Sequence, residues 1–564
     1  MPTLAPGVYP GAGGGDTAEF QTVAWVLGTA HPTGYPAYVI LGFVATHLLP
    51  FGDPAFRLNL LQAILAAGAV AGTVALVQFL TGMRWIALVT GLLMLTMPAF
   101  SSVPIVFDDS GFLSTPVVWR LATYADPHMF HLALVTLIFL LLVVWERRRT
   151  ERDPDRQRGA DRWLVAASVV YGIAVANHSL TLMLAPAIGL FVLAVAPWII
   201  LDRRLVVTCA AVIGATIVVL FLELPIRAAM HASLIYAHPD TWGGFWYVVL
   251  GEQFGGVPPT VFADLGTKYA TVMNLLAGWL GPLGNLAALG VGTSLVRRPR
   301  YVLLTMVAAG VTCAFGAAYA NADIERYFLV PVFVAFTFVG LGLADAAAIL
   351  VFLAGELAPR FTRHAPAAAG VPAAEPAGEL PVEAGRPGGS AGWTGGLRQG
   401  PVLMAVEAAV AIALLACSLT VVPERQLSVP AGDDPAAVSQ AGQNGQESWL
   451  RSVLAPPDQG GVPANSVIVS TWSASTTLWY GQKVEGLRSD VYVLDDSSRV
   501  EAVDNLGEVW DVIDSYLGRR PVFVLRFSWG YDGMDVLTQV YDIAEYRLAD
   551  GYTIPQVISK KGAK

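Results

Sequence analysis

Residues 128–177 read HMFHLALVTLIFLLLVVWERRRTERDPDRQRGADRWLVAASVVYGIAVAN. Two apolar runs flank a loop, 146–162, that carries seven arginines: Arg147, Arg148, Arg149, Arg152, Arg156, Arg158 and Arg162. A helix that crosses a bilayer needs about 20 apolar residues. Short loops rich in Lys and Arg stay on the cytoplasmic side. The stretch therefore predicts a membrane hairpin with its turn in the cytoplasm.

Working outward, further apolar runs cover 57–81, 86–104, 181–200, 205–223, 270–296, 301–320, 327–353 and 401–422. With the two quoted runs these predict about ten helices. Arg84, then Arg203 and Arg204, then Arg297, Arg298 and Arg300, and finally Arg360, Arg363, Arg386 and Arg398 fall on the same side as loop 146–162. The opposite side receives 105–127, 176–180, 224–269, 321–326 and everything after 422. The expected class is a polytopic α-helical membrane protein with a C-terminal soluble α/β domain. Its expected parts are 1–56, an outer-face loop with interfacial helices; 57–353, the transmembrane domain; 354–400, a cytoplasmic disordered linker; 401–422, a last spanning helix; and 423–564, an extracytoplasmic domain. That predicts a multi-pass protein of the cell membrane.

Composition agrees. Of 564 residues 55% are hydrophobic and only 14% charged, against about a quarter charged in soluble proteins; mean hydropathy is +0.56. The net charge of −9 and the lack of a basic stripe argue against nucleic-acid binding. Three cysteines, Cys209, Cys313 and Cys417, lie in apolar runs, so no disulfide framework is readable. Segment 36–50 is apolar but too short to cross, and reads as an interfacial helix. The charge pattern also places the N-terminus outside with no helix to carry it there, so the expectation is that a first spanning helix precedes this sequence.

Charged groups at membrane depth are costly and mark function, and here they gather on one side. In Gly13–Phe20, GGGDTAEF, Asp16 and Glu19 share a helix face. They read either as a capping box or as carboxylates held for general-base work. His31 follows in AHPTGYP. Arg57 opens the next run. Asp126 precedes Pro127, a natural helix start, and His128 and His131 share a face beyond it, so a divalent metal is one reading of that group. Asn177, His178 and Ser179 break two spans. Arg326 suits a phosphate; an ion pair with Glu325 or Asp323 is the alternative. Arg227, His231 and the aromatic loop Trp242, Phe245, Trp246 and Tyr247 lie on the same side. No P-loop, HExxH or GxSxG is present.

The combination GGGDTAEF (13–20), LGTAHPTGYPAYVILG (27–42) and LLPFGDPAFRLNLLQA (48–63) resembles the opening of the bacterial protein O-mannosyltransferase-like family. The Asn177-His178 turn, ERYFLVP at 325–331 and the tail 463–495 resemble it more weakly. The resemblance implies the GT-C glycosyltransferase fold and a sugar, in this family mannose, taken from a polyprenyl-phosphate donor at the outer membrane face. It implies Asp16 as the catalytic acidic residue, with Glu19 as the motif's second acid. It matches Asp126 to the acid of a second outer loop and puts Arg326 on the carrier phosphate. His31, Arg57, Asp126, His128, Asn177, His178 and Arg326 form the expected substrate-binding set. The acceptor would be a hydroxyl of a protein or glycan, and the setting a lipid membrane. A transporter or flippase is the alternative, but it predicts midplane polar groups and paired repeats, neither of which is readable. A scaffold presenting the soluble domain would leave Asp16, Asp126 and Arg326 without a role. In the tail, short apolar runs at 467–470, 491–494 and 522–526 alternate with helical stretches at 474–482 and 501–517, which predicts an α/β layer. The Thr471-Trp472-Ser473 turn at a strand end is a candidate ligand contact.

Overall fold

The structure, a computed structural model, describes residues 3–9, 15–96, 117–153, 159–254, 265–319, 324–362, 404–410, 445–495, 509–525 and 533–562, with a few isolated positions besides. Asn321, Asp323, most of the expected linker and most of the expected last span lie outside these residues.

The first elements are short. Helix α1 (Asp16–Val26) and α2 (Pro36–Leu48) precede α3 (Pro54–Thr81). Asp53 caps α3, accepting the Phe56 N–H at 2.7 Å, and Gly82 ends it in the left-handed region. Next come α4 (Arg84–Thr96), α5 (Val117–Leu121) and α6 (Pro127–Arg149). Asp126 caps α6 through the His128 N–H, and arginines close its last turn, where they complement the helix dipole. Then follow α7 (Asp161–Asn177), α8 (Ala185–Val195), α9 (Arg203–Phe221), α10 (Glu223–Ala229) and α11 (Trp242–Leu250). The membrane part closes with α12 (Leu265–Leu280), α13 (Leu283–Arg297), α14 (Pro299–Ala318) and α15 (Leu329–Thr362).

Among the described residues five helical segments are long and apolar enough to cross a membrane: Pro54–Thr81, Pro127–Arg149, Arg203–Ala229, Pro299–Ala318 and Glu325–Leu353. This corrects several expectations. The run 270–296 is two helices bent by 108° at Gly281-Pro282. The runs at 163–177 and 181–200 are each short, parted by a 3-10 turn at Ser179–Leu184. The Asn177 amide stays at that break and donates to the Pro127 carbonyl at 3.1 Å. Residues 354–362 continue α15 as helix, so no linker begins at 354.

The basic loops meet at one end of the helices. Arg300 pairs with Glu146 at 3.3 Å and Arg149 with Asp161 at 3.4 Å. Nearby, Arg297 reaches Asp345 at 2.5 Å, and Glu407 of the helical stretch 404–410 accepts the Trp85 N–H at 2.7 Å. The starts of α1, α3, α6 and α15 lie at the opposite end.

The C-terminal domain contains α16 (Gly445–Val453), β1 (Val467–Ser470), α17 (Trp472–Lys483), β2 (Tyr492–Asp495), α18 (Val509–Tyr516), β3 (Val522–Leu525), α19 (Gly533–Val540), β4 (Tyr541–Arg547) and β5 (Thr553–Lys560). The sheet order is β2-β1-β3-β5-β4. Strands β2, β1 and β3 are parallel, with Val467 opposite both Tyr492 and Val522. The β4–β5 hairpin adds an antiparallel edge that the sequence reading had not anticipated. Val467, Ile468 and Val469 are fully buried, as a central strand with both faces covered requires. This domain shares a core with the first helices: Val8, Phe20, Tyr38 and Leu58 pack in one cluster with Leu450, Ile468, Leu478 and Trp479. The Tyr480 hydroxyl also accepts the Ala55 N–H at 3.2 Å.

Within the membrane part, α13 and α15 approach through glycines. A Cβ on Gly290 would lie 2.0 Å from the Phe338 carbonyl oxygen, and one on Gly342 would lie 2.0 Å from that of Leu286. Small residues are what allow such backbone contact between membrane helices. Gly342→Leu is expected to cost about 1–3 kcal/mol or more, since the backbones must separate. Thermal unfolding in detergent checks it, and a wild-type melting temperature would contradict the packing described.

Candidate functional site

At the end of the bundle opposite the basic loops, one guanidinium joins two carboxylates from distant segments. Arg326 lies in a 3-10 turn, Ile324–Phe328, that leads into α15. It donates to Asp16 Oδ2 from Nη1 at 3.4 Å and Nη2 at 3.3 Å, and from Nη1 to Asp126 Oδ2 at 3.3 Å. Charge-assisted bonds are usually 2.7–2.9 Å, so Arg326 is held loosely between its partners. Glu325 pairs instead with Arg120 at 2.8 Å, and both are buried. Glu325, one of the two alternative ion-pair partners for Arg326, is thus engaged with Arg120, and Asp323, the other, lies outside the described residues. Nothing in the local sequence marks Arg120, because its partner lies 205 residues away.

Asp16 is the first residue of α1. Gly15 precedes it at φ 120 with no side-chain cap, so the capping-box reading fails. Glu19 turns instead to His31, accepting its backbone N–H at 2.7 Å and contacting Nδ1 with the other oxygen. Burial pushes the Glu19 carboxyl up, and His31 only partly offsets this. Burial pushes the His31 imidazole down, but Glu19 and Asp16 together hold it above its ordinary value. Burial likewise raises Asp16, yet His31 and Arg326 outweigh it and hold the carboxyl below its ordinary range. Both shifts favour the charged forms of Asp16 and His31. The Asp16 side chain is 24% exposed, while those of Glu19 and Asp126 are buried.

Asp126 holds the histidines. Its Oδ1 accepts the His128 backbone N–H at 2.7 Å and lies 2.7 Å from His128 Nδ1. The remaining protons follow from their partners. His178 Nδ1 accepts the Leu180 N–H at 3.2 Å, so the neutral ring carries its proton on Nε2. Thr181 gives its hydroxyl proton to the Ala174 carbonyl and so accepts from His131 Nδ1 at 3.1 Å. The His128 and His178 rings lie 4.7 Å apart, and their Nε2 atoms are buried without a partner among the described residues. The metal reading lacks a ligand set: among the described residues no group of three His, Cys, Asp or Glu is placed to hold an ion.

A small cavity opens beside Arg326, lined by His131, Thr312 and Tyr327 at its polar side and by Leu180, Leu184, Leu329 and Val330 elsewhere. Eight of the nine expected site residues gather in the cluster around Asp16, Asp126 and Arg326: those three with Glu19, His31, His128, Asn177 and His178. Arg57 does not. Its guanidinium ties the α2–α3 turn, donating to the carbonyls of Thr46 at 2.7 Å, Gly52 at 3.1 Å and Phe51 at 3.3 Å. Arg227 is likewise spent on the carbonyls of Leu27 at 2.7 Å and Val26 at 3.3 Å.

Comparison with known proteins follows the same lines. The described fold resembles ArnT from Cupriavidus metallidurans in the apo state, with a TM-score of 0.58, 12% identity and coverage of 99% of this chain and 95% of that one. The same protein bound to undecaprenyl phosphate gives a TM-score of 0.55 at 12% identity, covering 97% and 94%. The chain has the GT-C membrane fold with a small C-terminal sheet domain. Residues 16–198 match the model for the protein O-mannosyl-transferase TMEM260 N-terminal domain. The mouse protein O-mannosyl-transferase TMEM260 is 25% identical over 356 residues, 59% of this chain and 46% of that protein. The Dictyostelium discoideum protein is 45% identical over 42 residues, 7% of this chain and 5% of its own. The chain is a distant homologue of that family, and it spans less than half the length of these curated relatives.

Burial raises the Asp126 carboxyl, but His128 and Arg326 outweigh this and hold it well below the usual carboxylate range. A depressed folded value stabilises above the unfolded pKa of about 3.9 and is lost as pH falls through the folded value. Asp126→Asn is therefore expected to cost on the order of 3 kcal/mol at neutral pH. The deficit should shrink as pH falls below about 4. Melting curves of both proteins across that range check it, and a deficit that does not change with pH would contradict the charge pairing.

Proposed function

We propose that this protein is a membrane glycosyltransferase that moves a sugar, mannose by family resemblance, from a polyprenyl-phosphate carrier to a hydroxyl of a protein or glycan acceptor. The observation that carries the reading is the position of Arg326, which bonds to Asp16 and lines a small cavity whose other walls include leucine and valine. A lipid phosphate needs a cation at the mouth of an apolar channel. Acceptor activation needs an ionised carboxylate within reach of the same point.

In the proposed reaction Asp16 takes the proton of the acceptor hydroxyl as that oxygen bonds to the anomeric carbon. The bond from that carbon to the phosphate oxygen breaks, and the electron pair leaves with the phosphate. Arg326, whose bonds to the two carboxylates are long, meets the charge on the departing phosphate. The His178 Nε2–H, buried beside His128 and Tyr327, is a second donor facing the same region. Against the burial of its carboxyl, His31 and Arg326 favour the charged form of Asp16, and Glu19 holds His31 beside it; Asp126 fixes the His128 ring and one side of Arg326. Attack from the face opposite the phosphate gives inversion. The site face is assigned to the outer side of the membrane, because the basic loops collect at the other end.

Two measurements test this. With polyprenyl-phosphate-mannose in membranes holding the full chain, Asp16→Asn is expected to lower transfer by about 10²–10⁴-fold, as loss of a general base does. Full activity in the variant would remove Asp16 as the base, and an inactive wild type across several carrier sugars would count against the transferase itself. Separately, protease added outside intact cells should cut within 445–562; protection would reverse the orientation.

A further inference from the structure

The Asp16 carboxylate has two oxygens and they are held by different domains. Oδ2 accepts both terminal nitrogens of Arg326. Oδ1 accepts the indole N–H of Trp472, from the first residue of α17 in the C-terminal domain, at 3.0 Å. We propose that Trp472 is a positioning residue for Asp16, so that the C-terminal domain completes the active site rather than only flanking it. The inference rests on Asp16 being the base.

Three observations support it. The indole is wedged in place: its ring centroid lies 6.0 Å from that of His31, 6.3 Å from Tyr236 and 5.8 Å from Trp479, each edge-on. A bond from a side chain so confined fixes direction as well as distance. The main chains also meet directly. A Cβ on Gly15 would lie 2.8 Å from the Ser473 Cα and 2.9 Å from the Trp472 Cδ1. The residue before Asp16 therefore has no room for a side chain, and it takes a φ of 120 that favours glycine. Finally, an indole N–H can only donate. It orients the carboxylate without competing for the proton that Asp16 must accept. Oδ1 has one donor where Oδ2 has two, so Oδ1 keeps acceptor capacity for a substrate hydroxyl. Asp16 is also the most exposed acid of the cluster, and so the one whose rotamer most needs fixing.

The alternative is that Trp472 only packs the two domains together. Trp472→Phe separates these, since it keeps a ring and removes the N–H. With the full-length protein and polyprenyl-phosphate-mannose, kcat is expected to fall about 10-fold or more, the loss typical of a hydrogen bond to a charged group. KM for the donor should stay within about twofold, because the phosphate contacts are untouched. The acid limb of the pH profile should move to higher pH, because a carboxylate that loses a donor to its charged form is easier to protonate. Gly15→Ala should produce the same shift with Trp472 intact, by prising the two main chains apart, and it carries the test if Trp472→Phe does not fold. Trp479→Phe is the packing control. Its N–H goes to the Val493 carbonyl, so it should leave the acid limb where it is. A wild-type acid limb in Trp472→Phe, at whatever rate, overturns the inference. If Asp16→Asn is inactive and Trp472→Phe unshifted, the transferase reading stands and only this inference falls. If Asp16→Asn is fully active, both fall.

Discussion

A single guanidinium, that of Arg326, ties together the start of α1, the start of α6 and the turn that leads into α15. Carboxylates buried at a membrane edge repel one another and cost several kcal/mol each to desolvate. Placing a cation between Asp16 and Asp126 lets both remain ionised. The rest of the cluster follows from that arrangement. Asp126 has an oxygen left to orient His128, and Asp16 has one left for Trp472. His31 can stay charged because Glu19 sits against it. Arg120 takes Glu325, so the residue beside Arg326 does not draw it away.

The helices serve this point. Asp126 is at once the cap of α6, the holder of His128 and a partner of Arg326. A capping residue is rigid because its own bonds fix it, which suits a group that must hold others. The break at Asn177 and His178 interrupts an otherwise apolar run. It brings a histidine to the cluster at the cost of a continuous span. The cavity beside Arg326 is lined by leucine and valine as well as by polar side chains, so charged and apolar groups face the same space.

Much of this was legible in sequence because membranes simplify the reading. Apolar runs located α3, α6, α9, α14 and α15, since a chain in lipid has few ways to satisfy its backbone other than helix. Polar residues on one side of those runs pointed to eight residues that the structure gathers into one cluster. The failures have physical causes. Arg57 lies within the motif but is consumed by carbonyls of its own turn, and nothing local distinguishes such a structural anchor from a ligand-binding arginine. The bend at Gly281-Pro282 was masked by a continuous apolar run. The Asp16–Glu19 spacing suggested mutual capping, whereas Glu19 is drawn to a histidine twelve residues on. The turn at 471–473 was noticed, but its target could not be: a contact across 456 residues leaves no periodic trace.

The core shared by the first helices and the C-terminal domain has a consequence for biosynthesis. Phe20, Tyr38 and Leu58 are made and inserted early, yet Leu450, Ile468 and Trp479, which cover them, emerge from the ribosome last. Chains are synthesised at about 5–20 residues per second, so these early faces wait on the order of tens of seconds for their partners. During that interval the membrane half exists with its apolar surface uncovered and its first carboxylate unrestrained. Quality-control factors that recognise exposed apolar surface can therefore distinguish a nascent or truncated chain from a finished one, and an unfinished chain is not yet set up for chemistry.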